Sequence, residues 1–393
     1  MRSVCFVKRL EFDFACGTGV SRDAMTIGDV DNDGRNELIV GNTSGDLVLF
    51  KEKEQWQKIT GLGMITCVGI GDILNCGCNA LVVVGGDGWC RIFYCPSMIP
   101  SKEDENSSSE HHRVTPPQLE CIHIQRIPAN SKVVLLGDID GDGLIEMVIA
   151  LTDRVVRSYR WYESDQLSSS AEPKQSSVNE NFKSGKLVCL NKWESSNQIG
   201  AVTLQQNPDG IPALLVAQPG GTFMRIRCNH ENNMPEHNLD SASMTSENLT
   251  APGVDYQFLG ISQMRNQSVS TEVLADLNPK NPMDLNKIKP YAVATLDGTI
   301  MLVREEVIIW AIQVDHQIFA LEKLDITGDG SEDIVACSWD GQTYMLDQDK
   351  NSVRFQLDEP VQAFCSGYYN VESANSKGSA SLVYVTFKNK NNK

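Results

Sequence analysis

Acidic residues at regular spacing in three short loops are the part of this sequence best suited to chemistry. The loops read DVDNDGRNE, DIDGDGLIE and DITGDGSED, and they start at Asp29, Asp138 and Asp325. Each places oxygen-bearing side chains at positions one, three, five and nine, where their charges repel one another unless a hard cation binds. The candidate side-chain ligands are Asp29, Asp31, Asp33 and Glu37; Asp138, Asp140, Asp142 and Glu146; and Asp325, Thr327, Asp329 and Asp333.

Calcium is the cation that this spacing favours, with magnesium as the alternative. Ca²⁺ accepts about six to eight oxygen ligands, and position seven of each loop offers a backbone carbonyl, from Arg35, Leu144 and Ser331. Glycine at position six permits the sharp reversal that turns the carboxylates inward. The sequence therefore predicts a divalent-ion site in each loop and no organic cofactor.

Two other interpretations of the loops have to be weighed. An EF-hand begins with the same pattern but needs Glu at position twelve, where this chain has Val40, Ile149 and Ala336, so the EF-hand is excluded. The second alternative is that the aspartates only cap turns by bonding backbone amides. Three loops in one register favour ion binding, and turn capping stays open.

The acidic loops belong to a repeated unit of short apolar segments. MTIGDVDNDGRNELIVG returns as VLLGDIDGDGLIEMVIA and as LEKLDITGDGSEDIVAC, and four weaker copies begin near Cys67, Ala201, Val273 and Ala363. A period of about 43 residues with about four alternating strands is typical of a propeller blade. We predict an all-β, seven-bladed β-propeller of four-stranded antiparallel blades, with the truncated last blade closed by the N-terminal strand at 4–14.

Three polar stretches interrupt the repeats at residues 101–117, 163–184 and 229–252. They are rich in Ser, Asn, Glu and Pro and poor in β-branched residues, a composition that buries too little apolar surface to order the chain. We therefore interpret residues 1–393 as a single propeller domain with three disordered insertions.

Composition and motifs exclude several functional classes. The formal charge of −17 argues against nucleic-acid binding, and no apolar run is long enough for a spanning helix. Charges at Lys8, Arg9 and Glu11 interrupt the apolar core that a signal peptide needs, and the cysteines lie mostly in apolar runs, as reduced thiols do. A cytoplasmic protein without direct membrane insertion is expected. GxSxG, HExxH and Walker motifs are lacking, so no catalytic residue and no enzyme activity is predicted.

Trp89 and Trp339 are the candidate partner-binding residues. Each adjoins a hairpin turn that contains glycine, at Gly88 and Gly341. In a four-stranded blade these second connections lie on the propeller face opposite the acidic first connections. We expect partners on that opposite face or on a side wall, with exposed tryptophans as anchors; a core role for each Trp is the alternative.

The acidic loops resemble the FG-GAP repeats of integrin α-subunit propellers, in which an apolar-Gly-Asp-x-Asp-x-Asp-Gly-x-x-acid pattern precedes an apolar strand. The match is strong in the first and third copies, partial in the sixth and degenerate in the others. Beyond the repeats, the segments MRSV, GMITCVGIGD and GDGWCRIF resemble the family of integrin-alpha FG-GAP repeat-containing proteins that are subunits of the KICSTOR complex.

This resemblance implies a role that the residue patterns alone do not. It implies a non-enzymatic scaffold or adaptor subunit of a KICSTOR-like complex, which recruits the GATOR GTPase-activating complex to the lysosome and restrains TOR signalling during amino-acid starvation. Kaptin and the other KICSTOR subunits are the implied partners, with the chain peripheral at the lysosomal membrane. The alternative is an integrin-like extracellular adhesion propeller that binds ligands.

Overall fold

The fold consists of short β-strands that pair mainly with their neighbours in sequence. The computed structural model describes residues 2–3, 7–12, 19–96, 117–164, 184–228, 254–258, 268–280, 288–371 and 378–387. The predicted insertions at 101–117, 163–184 and 229–252 lie, apart from a few end residues, outside these described residues.

The strand bounds are as follows. The strands before residue 200 are β1 (Arg2–Ser3), β2 (Met25–Gly28), β3 (Glu37–Gly41), β4 (Leu47–Lys51), β5 (Glu54–Ile59), β6 (Ile65–Gly71), β7 (Ala80–Gly85), β8 (Trp89–Tyr94), β9 (Glu120–Arg126), β10 (Ser131–Gly137), β11 (Glu146–Leu151), β12 (Val155–Glu163) and β13 (Gly185–Glu194). The later strands are β14 (Val202–Gln205), β15 (Ala213–Gln218), β16 (Thr222–Ile226), β17 (Val254–Phe258), β18 (Thr271–Leu274), β19 (Tyr291–Thr295), β20 (Thr299–Arg304), β21 (Val307–Gln313), β22 (Ile318–Leu324), β23 (Asp333–Ser338), β24 (Gln342–Leu346), β25 (Ser352–Gln356), β26 (Val361–Tyr369) and β27 (Ser379–Thr386).

Six of the sheets are blades of four consecutive antiparallel strands. Blades one to six comprise β2–β5, β6–β9, β10–β13, β14–β17, β18–β21 and β22–β25. The strands β26 and β27 form a two-stranded sheet, and β26 packs between β22 of blade six and β2 of blade one. The prediction of an all-β propeller is therefore confirmed.

The prediction of seven four-stranded blades is wrong, because the described residues form six. Where the structure describes the last sequence copy, it contains the two strands β26 and β27. The repeat count identified the copies along the chain but could not show how many strands of the final copy pair in one sheet.

The predicted closure of the last blade by the N-terminal strand is also wrong. Arg2 and Ser3 pair in parallel with Val353 and Arg354 at the outer edge of blade six, and the described residues 7–12 lie outside any strand. Alternation predicts a strand but carries no information about its partner. The edge strand β25 presents unpaired backbone groups that accept β1.

The second strand of each blade is buried along its whole length. These strands read as near-continuous apolar runs, such as ALVVVG in β7 and ALLVAQ in β15, as expected when both faces of a strand are covered. Among the outer strands, β21 is mostly exposed, and β5 is made up of exposed and half-buried residues. Hydrophobic clusters join side chains of adjacent blades, for example Ile39 of blade one with Val83 of blade two. Each blade is thus stabilised by its neighbours.

Candidate functional site

The three acidic loops connect β2 to β3, β10 to β11 and β22 to β23. Because the inner strands of a propeller run in one direction, these first connections lie on one face. Gly34, Gly143 and Gly330 at position six have φ values of +84°, +85° and +86°, a region that glycine adopts without strain. The backbone therefore reverses at the same point of each loop.

The first aspartate of each loop closes this reversal. In the three acidic loops it accepts a hydrogen bond from the glycine amide at position six, at 2.9 Å each time. Asp72 of blade two accepts the same bond from the Gly77 amide at 2.7 Å, although its loop lacks the other acids. The first aspartate thus has a structural role that does not require an ion.

The acid at position nine is buried at the start of the second strand. Glu37 and Glu146 have no exposed surface, and Asp333 is 3% exposed. One oxygen of each carboxylate accepts the backbone N–H of position two, and the donors are Val30, Ile139 and Ile326, at 3.1, 3.0 and 3.0 Å. The ninth residue therefore holds the beginning of its loop against the sheet.

Position seven engages the loop through its amide. The N–H groups of Arg35, Leu144 and Ser331 donate to the carboxylate at position five, at 2.8, 2.8 and 2.9 Å. The Arg35 side chain also pairs with Asp33 and with Glu52, at 2.8 and 2.7 Å. The predicted contribution of the position-seven carbonyls to a metal site stays a prediction.

In blade one the ammonium group of Lys51 lies among the loop carboxylates. Lys51 is the last residue of β4, the third strand of the blade. Its Nζ contacts Asp31 and lies 2.7 Å from Asp33 Oδ2. A third contact, 3.2 Å from Glu37 Oε1, is an ion pair without hydrogen-bond geometry. Burial alone would lower the pKa of Lys51, but its bonds to Asp31 and Asp33 raise the pKa overall, so the ammonium keeps its charge.

In blade three the guanidinium group of Arg160 takes the corresponding place. Arg160 lies on β12 directly opposite Glu146 in the strand register. Its Nε donates to Glu146 Oε1 at 2.6 Å, Nη1 lies 2.8 Å from Asp142 Oδ2, and Nη2 lies 3.1 Å from Asp140 Oδ2. The side chain is only 8% exposed. A planar fork of N–H donors matches this array of carboxylates.

Each of these clusters places several carboxylates around a cation from the third strand of the blade. Burial raises the pKa of Glu37 to about 7, against the opposing effects of the Val30 amide and Lys51. Burial likewise raises the pKa of Glu146 to about 7, against the Ile139 amide and Arg160. In both clusters burial outweighs the nearby cation, and the neighbouring aspartates raise the pKa of the ninth-position Glu further.

Blade six has no cation at the equivalent position. The residue fourteen places after the ninth-position acid is Lys51 in blade one and Arg160 in blade three, but Asp347 in blade six. Asp347 instead closes the next hairpin through two bonds from Asn351. Within the described residues, the buried oxygen Oδ1 of Asp333 has no hydrogen-bond partner.

In blades one and three a divalent ion would have to use oxygens that the protein's own cations already engage. In both loops three acidic oxygens come within 4.8 Å of one another. The groups are Asp29, Asp31 and Asp33 in blade one and Asp138, Asp140 and Glu146 in blade three. Since Lys51 and Arg160 contact these same clusters, a divalent ion does not fit either loop while those side chains stay in place.

The loop of blade six offers a different set of oxygen groups. Ser331 Oγ donates to Asp329 Oδ1 at 2.6 Å, and Thr327 Oγ1 lies 3.5 Å from Asp325 Oδ1. The nearest described cation to these acids is the exposed Lys280, 3.7 Å from Asp329. Among the described residues no buried cation lies beside these oxygens, but the three acids of this loop are not gathered within 4.8 Å of one another as those of blades one and three are.

Asparagines that the sequence analysis did not single out join neighbouring loops. Asn32 of blade one exchanges two hydrogen bonds with the backbone of Asn79 in blade two, at 2.7 and 3.1 Å. Asn75 of blade two does the same with Ile145 in blade three, at 2.6 and 3.3 Å. Both asparagines have positive φ, 62° and 55°, which Asn tolerates better than most residues. Asparagine at position four of a loop is the sequence signal that could have predicted these clamps.

The same kind of bond joins the two-stranded sheet to blade one. Asn370 Oδ1 accepts the backbone N–H of Asn36 at 3.0 Å, and Asn36 Nδ2 donates to the Tyr368 carbonyl at 2.7 Å. Between blades five and six, Asn278 N–H donates to Glu332 Oε2 at 2.8 Å. Contacts between loops thus recur around the face that carries the acidic loops.

Charged residues meet near the inner strands of blades one, five and six. Arg22, just before β2, donates twice to Glu272 of β18, at 2.6 and 2.9 Å. Arg22 also donates to the Phe319 carbonyl at 2.9 Å. Burial raises the pKa of the nearby Glu322 to about 8, although Arg22 acts in the opposite direction. The Arg22–Glu272 pair links blade one with blade five.

Trp89 and Trp339 both keep exposed surface beside their hairpin turns, with exposed fractions of 37% and 38%. Trp339 stacks on Phe319 with ring centroids 4.0 Å apart, and Trp89 lies 5.8 Å from the Arg126 guanidinium. Each ring is thus partly packed and partly accessible, and partner binding stays a prediction.

Two further observations concern thiols and membranes. Cys67, Cys337 and Cys365 are free and buried, whereas Cys189 is free and exposed on the outer strand β13.

In the part of the chain that the structure describes, no helix is long and apolar enough to cross a bilayer.

A ring of antiparallel blades with Asp-x-Asp-x-Asp-Gly first connections defines a β-propeller of the FG-GAP repeat class. The sequence profile of the family described as integrin-alpha FG-GAP repeat-containing protein 2 matches residues 50–391. The chain belongs to this family. KICSTOR complex protein ITFG2 of Mus musculus is 39% identical over 396 residues, which cover 99% of this chain and 84% of that protein. The protein of the same name from Bos taurus is 39% identical over 399 residues, covering 99% and 70%.

Solved structures with similar folds are distant in sequence. A crystal structure of BBS1N in complex with ARL6DN, soaked with lead, has a TM-score of 0.59 at 13% identity and covers 98% of this chain and 95% of the other. The same complex soaked with mercury has a TM-score of 0.56 at 12% identity, covering 94% and 90%. At these identities the similarity supports the fold alone.

Proposed function

We propose that this chain is a subunit of a KICSTOR-type complex. The observation that carries the proposal is the 39% identity to the KICSTOR complex protein ITFG2 of mouse, which extends over 99% of this chain. Similarity over the whole propeller, rather than over one blade, is what a shared binding surface would require.

Within such a complex the chain acts as a scaffold rather than as an enzyme. The conspicuous acids support this role, because they bond to amides of their own loops and to Lys51 or Arg160. A general base or a metal-assisted hydrolase needs a group free to meet substrate. Carboxylates that build a loop are better suited to keeping a surface rigid.

The complex would recruit the GATOR GTPase-activating complex to the lysosome and restrain TOR signalling when amino acids are scarce. Kaptin and the other KICSTOR subunits would be the direct neighbours of this chain, which would be held at the lysosomal membrane through them. The support for these finer assignments is the family resemblance.

The surface around Trp339 is the best supported docking point for a protein neighbour. Trp339 is 38% exposed and Phe387 is 55% exposed. The two lie close together, because the Val361 N–H donates to the Trp339 carbonyl and the Phe387 N–H donates to the Pro360 carbonyl. Partly exposed aromatic rings in one small area are typical anchors of protein interfaces. Trp89 would contribute a second anchor elsewhere on the propeller face opposite the acidic loops.

Blade six is where we retain the proposal of a bound divalent ion. The observation that favours it is the unpartnered, buried Asp333 oxygen beside a loop without a buried cation. Asp325, Asp329 and Asp333 would hold Ca²⁺ or Mg²⁺ together with Thr327 and Ser331.

Affinity purification tests the proposed function. The tagged full-length chain is recovered from amino-acid-starved and refed cells, and co-purifying proteins are identified by mass spectrometry. Kaptin and the other KICSTOR subunits are expected in both states, with GATOR subunits recovered through them. Recovery of the folded chain without any KICSTOR subunit would overturn the assignment.

The docking surface is tested separately by Trp339→Ala and Trp89→Ala. Ile309→Ala, at a residue that is 46% exposed on β21, is the matched control. We expect the tryptophan variants to lose most of the co-purifying subunits while still unfolding cooperatively, with the melting temperature of Trp339→Ala lowered by the lost stacking on Phe319. Full recovery of the complex by the double tryptophan variant would remove this surface from consideration.

A further inference from the structure

The cations in the two intact acidic loops occupy equivalent places in their blades. Lys51 and Arg160 each follow the ninth-position acid by fourteen residues. In blade three the register pairs Arg160 directly with Glu146. In blade one Phe50 pairs with Leu38, so Lys51 lies level with Glu37. Two blades thus use the same position of the third strand to bring a positive group into the loop.

We propose that Lys51 and Arg160 take the place of the divalent ion in blades one and three, so that these loops are closed by the protein's own cations and exclude calcium. The Lys51 ammonium is 2.7 Å from Asp33 and contacts Asp31 as well. The Arg160 guanidinium reaches carboxylates at positions three, five and nine, through all three of its nitrogens.

A divalent ion and the tethered cation exclude each other for two reasons. An ion would need the oxygens of positions three and five as ligands, which are the oxygens that the Lys51 and Arg160 side chains contact. An ion bound beside Lys51 or Arg160 would also stand next to a like charge in a site of low dielectric constant, where repulsion is screened poorly.

Burial holds the tethered cations in position. The side chain of Arg160 is 8% exposed and that of Lys51 is 20% exposed, so neither turns into solvent without taking its positive charge away from buried carboxylates. Such a loss is strongly unfavourable. Lys51 is further confined by the Trp56 ring, 5.4 Å from Nζ.

The loop of blade six provides an internal comparison. The equivalent position there is Asp347, an acid turned to the following hairpin, and Asp333 keeps an oxygen without a partner. Among the three acidic loops, the two with a tethered cation are those whose buried ninth residue is the longer Glu. Glu and cation together span the space that an ion would fill.

Direct counting of bound calcium tests the proposal on the full chain. Equilibrium dialysis against ⁴⁵Ca²⁺ gives the number of ions per wild-type chain, which is expected to be no more than one. Lys51→Met and Arg160→Met are each expected to add one ion per chain, and calcium should raise their melting temperatures above those of the calcium-free variants. Lys53→Met and Arg154→Met, at exposed positions of the same blades, are the matched controls and should add none.

Several results would overturn the proposal. Two or more ions per wild-type chain, one of them lost in Asp31→Asn or Asp140→Asn, would show that calcium enters the loops beside the lysine or arginine. Folded Lys51→Met and Arg160→Met variants that gain no ion would show that these residues are ordinary ion-pair partners. If Arg160→Met fails to fold without calcium, refolding in calcium supports the proposal; if it fails in both, Lys51→Met and the wild-type count decide.

Discussion

Arg160 and Glu146 face each other across the two central strands of blade three, and the Arg160 Nε donates to Glu146 Oε1 at 2.6 Å. The two residues are register partners on β11 and β12, and Glu146 has no exposed surface. This ion pair attaches the loop to the third strand, as backbone hydrogen bonds attach the second strand to the third. It fixes where the loop begins relative to the third strand.

Replacing Arg160 tests how much of this depends on the shape of the guanidinium. Arg160→Met leaves Glu146 and Asp140 buried without their cation, and we expect a loss of about 3–5 kcal/mol in the free energy of unfolding. Arg160→Lys keeps the charge but replaces the planar fork of three donor nitrogens by a single ammonium group, so about 1–3 kcal/mol should be lost. Urea denaturation measures both, with Arg154→Met as a control within about 0.5 kcal/mol of wild type. Equal losses for Lys and Met would contradict the argument.

The asparagine clamps between loops are tested at Asn75. Asn75→Gly keeps the positive φ but removes both bonds to Ile145, and it should cost about 1–3 kcal/mol of unfolding free energy. Asn75→Ala should cost about 1 kcal/mol more, because Ala is strained at positive φ. Lys350→Gly, at a position with φ of 71° and no clamp, is the control. Chemical denaturation separates the two contributions, and a neutral Asn75→Gly would show that the clamp adds nothing.

Two glycines with the same backbone region are expected to respond very differently to alanine. At Gly298 φ is +92° and an added Cβ would lie 2.2 Å from the Val314 carbonyl oxygen, whereas at Gly143 φ is +85° with nothing within 4 Å. Gly143→Ala should therefore cost about 1–2 kcal/mol from backbone strain alone. Gly298→Ala adds a clash with backbone that cannot move aside, and should cost more than about 3 kcal/mol. Similar melting temperatures for the two variants would contradict the prediction.

Glu322 is expected to make the fold less stable as the pH rises. Burial raises its pKa in the folded state to about 8, above the ordinary value of a glutamate in an unfolded chain. The neutral carboxyl is present in both states below about pH 4.5, and stability is lost as the pH rises toward 8. Glu322→Gln removes this loss.

We expect the free energy of unfolding of Glu322→Gln to exceed that of wild type by about 1–2 kcal/mol at pH 8.5 and to equal it near pH 5. This difference is smaller than the full pKa shift would give, because solvent reaches this part of the inner strand. Denaturation curves across this range provide the measurement, and Glu54→Gln, at an exposed residue, serves as control. Parallel stability curves for wild type and Glu322→Gln would contradict the assigned pKa.

What the sequence could predict about the site was local. The positions of the acids and the glycine at position six of each loop follow from consecutive residues, and the turn geometry follows from glycine's freedom at positive φ. Lys51 and Arg160 lie on another strand, so their place in the loops depends on the register between the second and third strands. Once that register is known, the constant distance of fourteen residues makes both cations readable from the sequence.

The errors in the fold prediction have the same origin. Repeat spacing identified the blades, but the pairing of Arg2 and Ser3 with Val353 and Arg354 joins residues about 350 positions apart and has no local signal. The last copy could be recognised from the apolar pattern of its two strands. The number of strands that pair in one sheet cannot be derived from such a pattern.

The bond between Arg22 and Glu272 also has a mechanical consequence. A propeller in which each blade contacts only its two neighbours deforms easily, because a small shift at each interface between blades adds up around the ring. Arg22, just before blade one, donates two hydrogen bonds to Glu272 of blade five. The contact therefore connects two blades that are not neighbours, since blade six and the two-stranded sheet lie between them in the ring. A force that a bound protein exerts on one blade would be distributed through this central contact instead of separating the nearest pair of blades.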